Sequence, residues 1–161
     1  MNSREQLIAW LNDAYSMERS LEETLESHAK DAEKDPEVHA RITRHIEETR
    51  EQAETVKGCI ESLGGSVSKV KSALAGMMGS VQGIANRPAG DTMVKNALSD
   101  YAAKHFEIAS YRALIEGARA LGEEQIALKL TAILRQEEDM ARFLEQRLPG
   151  AVRTALADAE R

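Results

Sequence analysis

Residues 35–65 have the sequence DPEVHARITRHIEETREQAETVKGCIESLGG. This stretch carries both end signals of one long helix, because Asp35 is a favourable N-cap, Pro36 suits the first helical turn, and two glycines at the end supply a C-cap. Between these ends the apolar residues recur every three or four positions, which is the period of a helix with one buried face. We therefore predict a helix from Pro36 to about Leu63.

Similar signals divide the rest of the chain into three further long stretches with little glycine or proline. Ser3 and Gln6 have the spacing of a capping box, Gly122 separates two of the stretches, and Pro149 is expected to end the last one. No stretch shows the alternation typical of a strand, so we predict an all-α bundle of four helices, each roughly 40 Å long. The three additional helices are predicted over about residues 3–32, 91–121 and 123–148.

Two segments lie outside this pattern. Residues 66–90 are rich in small residues, contain methionine and are punctuated by glycine, and a short helix is predicted within them over about residues 69–84. A link of this length can carry the chain from one end of a bundle back to the other. Residues 151–161 are rich in alanine and weakly amphipathic, and we interpret them as a tail beyond a bundle domain of residues 1–150.

Composition and charge exclude several classes of protein. The chain has 161 residues, of which 42% are hydrophobic and 30% charged, and this suits one domain with a continuous core. Acidic and basic residues are interleaved with a net charge of -6, which argues against a nucleic-acid-binding face. Cys59 is the single cysteine, and no stretch has the pattern of a signal peptide or a membrane span. We expect a cytoplasmic protein with no nucleic-acid or membrane partner.

On each predicted helix at least one polar side chain with metal-binding chemistry falls on or beside the apolar face. A helical wheel at about 100° per residue places Glu18, Glu107 and Glu137 inside the apolar stripes of the first, third and fourth helices. On the second helix His45 lies within the stripe and Glu48 on its border. A rise of about 1.5 Å per residue puts all five near mid-height. We therefore predict that they meet in one layer of the bundle.

Four carboxylates in an apolar layer repel one another and need compensating positive charge. The wheel places no lysine or arginine on these stripes at mid-height, so two divalent cations are the expected compensation. Oxygen ligands with one imidazole suit iron or manganese, and a bundle core is where di-metal carboxylate sites are built. The sequence thus predicts a dinuclear iron or manganese site whose ligands are Glu18, His45, Glu48, Glu107 and Glu137.

The polar neighbours of this layer leave a second interpretation open. Tyr15 and Tyr111 lie one helical turn from two predicted ligands, where their hydroxyls are placed to orient carboxylates. In the alternative, the bundle holds no metal and the buried acids are partly protonated and hydrogen-bonded to Tyr15, Thr49 and Gln52. Such a protein would have a structural or interaction role.

Each predicted helix carries one distinctive sequence motif. The motifs are DAYSMERSLEETL (13–25), HIEETREQ (45–52), YAAKHFEIASYRAL (101–114) and RQEED (135–139). In order and separation they resemble those of the bacterial YciE/YciF stress-protein family, and the similarity covers about residues 3–148. The resemblance implies a ferritin-like helical bundle, usually a homodimer, with poorly defined biochemical activity.

The sequence departs from the usual ferritin-like pattern of Glu-x-x-His on two helices. The second helix has the reverse order, His45-x-x-Glu48, and Met140 stands where the other histidine is expected. We predict redox handling of Fe(II), O₂ or peroxide in a stress response, as an oxidoreductase of ferroxidase or peroxide-directed type. The small, methionine-containing residues 73–79 offer adaptable apolar surface, which together with the resemblance predicts a homodimer.

Overall fold

The computed structural model describes residues 1–68 and 90–161 of the chain. The predicted all-α fold is confirmed: within these residues there are four helices and no strand. The first three helices begin and end close to the predicted residues. The helices are α1 (Ser3–Asp31), α2 (Pro36–Ser62), α3 (Thr92–Ala120) and α4 (Glu124–Ala159).

Local hydrogen bonds fix the starts of the first two helices. At α2 the Asp35 side chain accepts a bond from the Val38 amide at 3.2 Å, and Pro36 occupies the first turn as predicted. At α1 the capping box forms one residue earlier than predicted, between Asn2 and Glu5, because asparagine is at least as good an N-cap as serine. Both helices therefore start with their first amides satisfied.

The predicted end of the fourth helix at Leu148 is wrong, because α4 continues through Pro149 to Ala159. Proline removes one backbone hydrogen bond, but the alanine-rich residues that follow have high helix propensity. Ala151 and Ala155 are also half-buried and line a cavity of about 380 Å³ together with residues at the start of α3. Propensity and packing together outweigh the one lost hydrogen bond.

The helices form two hairpins, α1 with α2 and α3 with α4, which pack against each other. One apolar cluster joins the start of α1 to the end of α2, the end of α3 and the start of α4, and a second cluster joins the opposite ends. The helices α2 and α3 therefore run parallel, and the chain between them connects opposite ends of the bundle, as the predicted long crossover requires. The polar layer lies between the two apolar clusters.

Two predictions concern residues that are not described. The short helix predicted over residues 69–84 and the small residues 73–79 on which the homodimer prediction draws both lie outside the described ranges. Among the helices of residues 1–68 and 90–161, none is long and apolar enough to cross a membrane.

Candidate metal centre

Three glutamates from three helices meet at mid-height in the bundle. Glu18 on α1, Glu107 on α3 and Glu137 on α4 each have 0% of their surface exposed. One carboxylate oxygen from each lies within 4.8 Å of the others. The structure thus brings together three of the five side chains that the sequence singled out.

His45 on α2 completes the buried layer, and Glu48 lies on the outer side of its ring. The imidazole is fully buried, its Nδ1 is 2.8 Å from Glu48 Oε2, and its Nε2 is 3.7 Å from Glu137 Oε1. The Glu48 side chain is 13% exposed and also lies 3.2 Å from Arg44 and 3.6 Å from Arg41. Glu48 is therefore placed to orient the imidazole, whereas Nε2 points into the cluster.

The expectation that no lysine or arginine occupies this layer is wrong, because Lys104 of α3 is 1% exposed and lies at its centre. Its ammonium donates to Glu137 Oε2 at 2.8 Å and lies 2.6 Å from Glu107 Oε2. The buried face of α3 is wider than the predicted apolar stripe, because it includes Lys104 and Asp100 beside Glu107.

The polar side chains around the cluster form only part of the predicted hydrogen bonds. Tyr111 donates its hydroxyl to Glu18 Oε1 on α1, and not to Glu107 one turn away on its own helix, whereas Thr49 Oγ1 has no hydrogen-bond partner. Tyr15 has no hydrogen bond to Glu18 and packs on the apolar cluster instead. The Gln52 amide bonds to Gln136 at 2.9 Å. Of the two predicted orienting hydroxyls, only that of Tyr111 reaches a carboxylate of the layer.

Replacing Tyr111 by phenylalanine should lower the free energy of unfolding by about 1–3 kcal/mol, because the buried Glu18 Oε1 loses its hydrogen-bond partner. Tyr15→Phe is the matched control, with an expected change within about 0.5 kcal/mol. Urea denaturation of both variants gives the comparison. Equal losses would show that the Tyr111 hydroxyl does not stabilise the buried carboxylate.

The surroundings shift the pKa values of the three buried glutamates in different directions. Burial and the neighbouring charge of Glu137 raise the pKa of Glu18 to about 8, although Lys104 and Tyr111 oppose the shift. Burial and the same charge raise the pKa of Glu107 well above its usual value. For Glu137 burial also acts upward, but the Lys104 ammonium, His45 and the hydrogen bonds from Lys104 and Glu107 together outweigh it and lower the pKa. At neutral pH Glu137 is thus the ionised partner of Lys104, and Glu18 retains its proton.

The imidazole of His45 is neutral and has a defined tautomer. Burial and the charge of Lys104 lower the pKa of His45, although Glu48 acts in the opposite direction. The bond from His45 lowers the pKa of Glu48, so this carboxylate is ionised and accepts the Nδ1 proton. Nε2 therefore carries a free lone pair that points into the layer. A carboxylate behind a histidine in this way is the arrangement that supports a metal-ligating imidazole.

Several buried polar atoms of the layer have no hydrogen-bond partner, and their chemistry shows whether a metal ion would suit the site. Buried polar atoms nearly always have a hydrogen-bond partner, yet in this layer several have none. Glu18, Glu107 and Glu137 each offer one oxygen within 4.8 Å of the others, and His45 Nε2 lies 3.7 Å from Glu137 Oε1, so the donor set suits iron or manganese. The residues present therefore fit a divalent metal. Among the side chains of this donor set, the atoms with neither a hydrogen bond nor a contact to Lys104 are Glu18 Oε2, His45 Nε2, Glu107 Oε1 and Glu137 Oε1; Thr49 Oγ1 and Gln52 Oε1 are also buried without a hydrogen bond.

The match to a family model covers nearly the whole chain. Residues 2–157 match the family described as a domain of unknown function, DUF892. The chain belongs to the DUF892 family. The matched range includes the first three helices, the fourth as far as residue 157, and all side chains of the polar layer.

Solved structures similar to this DUF892 protein share its fold. A protein from Xanthomonas campestris pv. campestris is 37% identical with a TM-score of 0.85, and the match covers 100% of both chains. The E. coli stress protein YciF is 24% identical with a TM-score of 0.83, covering 95% of this chain and 98% of that one. A structure of ferritin-like, diiron-carboxylate proteins from Bacillus anthracis str. Ames is 17% identical with a TM-score of 0.71, covering 92% and 99%. The predicted resemblance and the ferritin-like fold are confirmed.

Proposed function

We propose that this DUF892 protein binds a divalent transition metal, iron or manganese, in the buried layer of the bundle. The observation that carries the proposal is the convergence of three buried carboxylates, each offering one oxygen within 4.8 Å of the others, with the unpartnered Nε2 of His45 lying 3.7 Å from Glu137 Oε1. Buried groups without partners cost free energy, and a bound cation would satisfy all four at once.

The chain's own residues would hold the metal and set its surroundings. Glu18, Glu107, Glu137 and His45 supply the four ligand atoms. Glu48 fixes the tautomer of the imidazole and Tyr111 fixes one oxygen of Glu18. Iron or manganese in such a site supplies one-electron chemistry with O₂ or peroxide, so we propose redox handling of Fe(II), O₂ or peroxide under stress. The two apolar clusters pack on either side of the layer along the bundle axis.

Metal loading is the direct test. Protein purified without chelator and loaded with Mn(II), or anaerobically with Fe(II), should retain at least about one metal per chain and should melt at a higher temperature with metal than without, because binding favours the folded state. Glu18→Gln should lose this retention. Glu23→Gln, an exposed position on the same helix, is the matched control and should behave as the wild type.

The proposed redox activity is tested separately, by measuring the rate of Fe(II) oxidation by H₂O₂ from the change in absorbance. We expect oxidation to be faster with wild type than with Glu18→Gln, and unchanged in the Glu23→Gln control. Retained metal with no difference in rate would leave a metal-binding protein without the proposed redox activity.

A second candidate function is a metal-free structural bundle, and the contacts of Lys104 favour it. Its ammonium already neutralises part of the buried negative charge by its contacts with Glu107 and Glu137. The raised pKa values of Glu18 and Glu107 also allow these acids to remain protonated without a metal. Absence of metal after loading, with an unchanged melting temperature, would select this candidate.

A further inference from the structure

Lys104 places a cationic side chain among the buried carboxylates of the layer. The side chain extends from α3 into the layer, one turn before Glu107, and is 1% exposed. Its ammonium contacts the Oε2 atoms of both Glu107 and Glu137, at 2.6 and 2.8 Å. Two carboxylate oxygens in direct contact with one buried nitrogen form a charge-assisted ion-pair cluster.

The ligand atoms of the four side chains differ in their partners. The Lys104 ammonium contacts Oε2 of Glu107 and Oε2 of Glu137, and the Tyr111 hydroxyl donates to Oε1 of Glu18. One atom of each side chain has neither a hydrogen-bond partner nor a contact with Lys104 and is left for a metal ion: Glu18 Oε2, His45 Nε2, Glu107 Oε1 and Glu137 Oε1. The remaining carboxylate oxygens are held by the ammonium and the tyrosine.

The net charge of the buried layer also favours a single metal ion. Once a bound metal has displaced the protons of Glu18 and Glu107, three carboxylates and one ammonium carry two net negative charges, which one divalent cation balances. A second divalent cation would add two positive charges beside an ammonium in a site of low dielectric constant, where like charges repel strongly. Glu48 does not change the count, since it is occupied by His45 and by Arg41 and Arg44.

We propose that the Lys104 ammonium is a fixed second cation of the cluster, so that each chain binds one metal ion where a ferritin-like di-metal site binds two. This inference rests on the proposed function and refines it. It also replaces the dinuclear site expected from the sequence. The function of Lys104 is to hold Glu107 and Glu137 in position and to keep one oxygen of each directed at the single metal.

Metal stoichiometry tests the inference without any activity measurement. Titration with Mn(II), followed by metal analysis after gel filtration, should saturate at about one ion per wild-type chain and at about two per chain in Lys104→Gln. Lys95→Gln carries the same substitution on the same helix, at a lysine paired with Asp91, and should stay at about one. Without metal, Lys104→Gln should melt at a lower temperature than wild type, and added Mn(II) should restore it.

The outcomes separate the inference from the proposed function. Two ions in the wild type, or one ion in both wild type and Lys104→Gln, would overturn the role of Lys104 while the metal site stands. No ion in any variant would reject the proposed function, and the inference with it. If Lys104→Gln folds neither with nor without metal, the wild-type saturation value still decides, since one ion supports the inference and two contradict it.

Discussion

Replacing Glu137 by glutamine is expected to lower the free energy of unfolding by about 3 kcal/mol and the metal affinity by at least about 100-fold. Glu137 is the ionised acid of the layer, and its Oε2 accepts the bond from Lys104 at 2.8 Å. Glutamine keeps the size of the side chain but removes its charge, which leaves the buried ammonium with a single carboxylate contact. The same change takes away an anionic ligand whose other oxygen lies 3.7 Å from His45 Nε2.

Glu138→Gln is the matched control for this prediction. Glu138 follows Glu137 on α4, but its side chain is 32% exposed and pairs at 3.2 Å with the exposed Arg112. An exposed ion pair contributes little, so the change in unfolding free energy should stay within about 0.5 kcal/mol. Urea denaturation and Mn(II) titration of both variants give the two comparisons. Equal losses at the two positions would mean that the buried face of α4 is wrongly assigned.

Metal affinity is expected to rise steeply with pH. Burial raises the pKa of Glu18 to about 8 and that of Glu107 well above its usual value, so at neutral pH both acids tend to hold protons that a metal must displace. Each displaced proton makes the affinity rise about tenfold per pH unit below that group's pKa. With two protons the Mn(II) affinity should rise about a hundredfold from pH 6 to pH 7 and level off once the pH exceeds both pKa values.

Calorimetry in two buffers with different ionisation enthalpies counts the protons directly. At pH 7 we expect about two protons released per Mn(II) bound. His45 does not contribute, because its lowered pKa leaves it neutral in this range, and Lys104 remains charged throughout. A Mn(II) affinity that does not change between pH 6 and pH 8 would contradict the protonated state inferred for Glu18 and Glu107.

The sequence predicts the fold well because the helix ends and faces are local properties. Capping at Asp35 and Pro36 places the start of α2, and the apolar stripe of α1 is buried as predicted. The end of α4 was missed because packing of the residues after Pro149 outweighs a local helix-breaking signal. Local patterns in a single sequence do not report packing between residues that are distant along the chain.

The candidate site is predicted less completely than the fold, and α3 shows why. Its buried face includes Asn96, Ser99, Asp100 and Lys104, so apolar residues alone do not define its orientation. A usable signal was present in the spacing of Lys104, Glu107 and Tyr111, which at i, i+3 and i+7 share one face. The role of Glu48 depends on the direction of an imidazole ring, and a helical wheel does not give that direction.

The two hairpins contribute different side chains to the polar layer. The α3/α4 hairpin carries Lys104, Glu107 and Glu137, so much of its charge is neutralised internally, whereas the α1/α2 hairpin brings Glu18 and His45. A slide of one hairpin along the other by one helical turn, about 5.4 Å, would place these polar groups against leucines and isoleucines. We expect the layer to fix the axial alignment of the hairpins during folding, and to make their docking all-or-none.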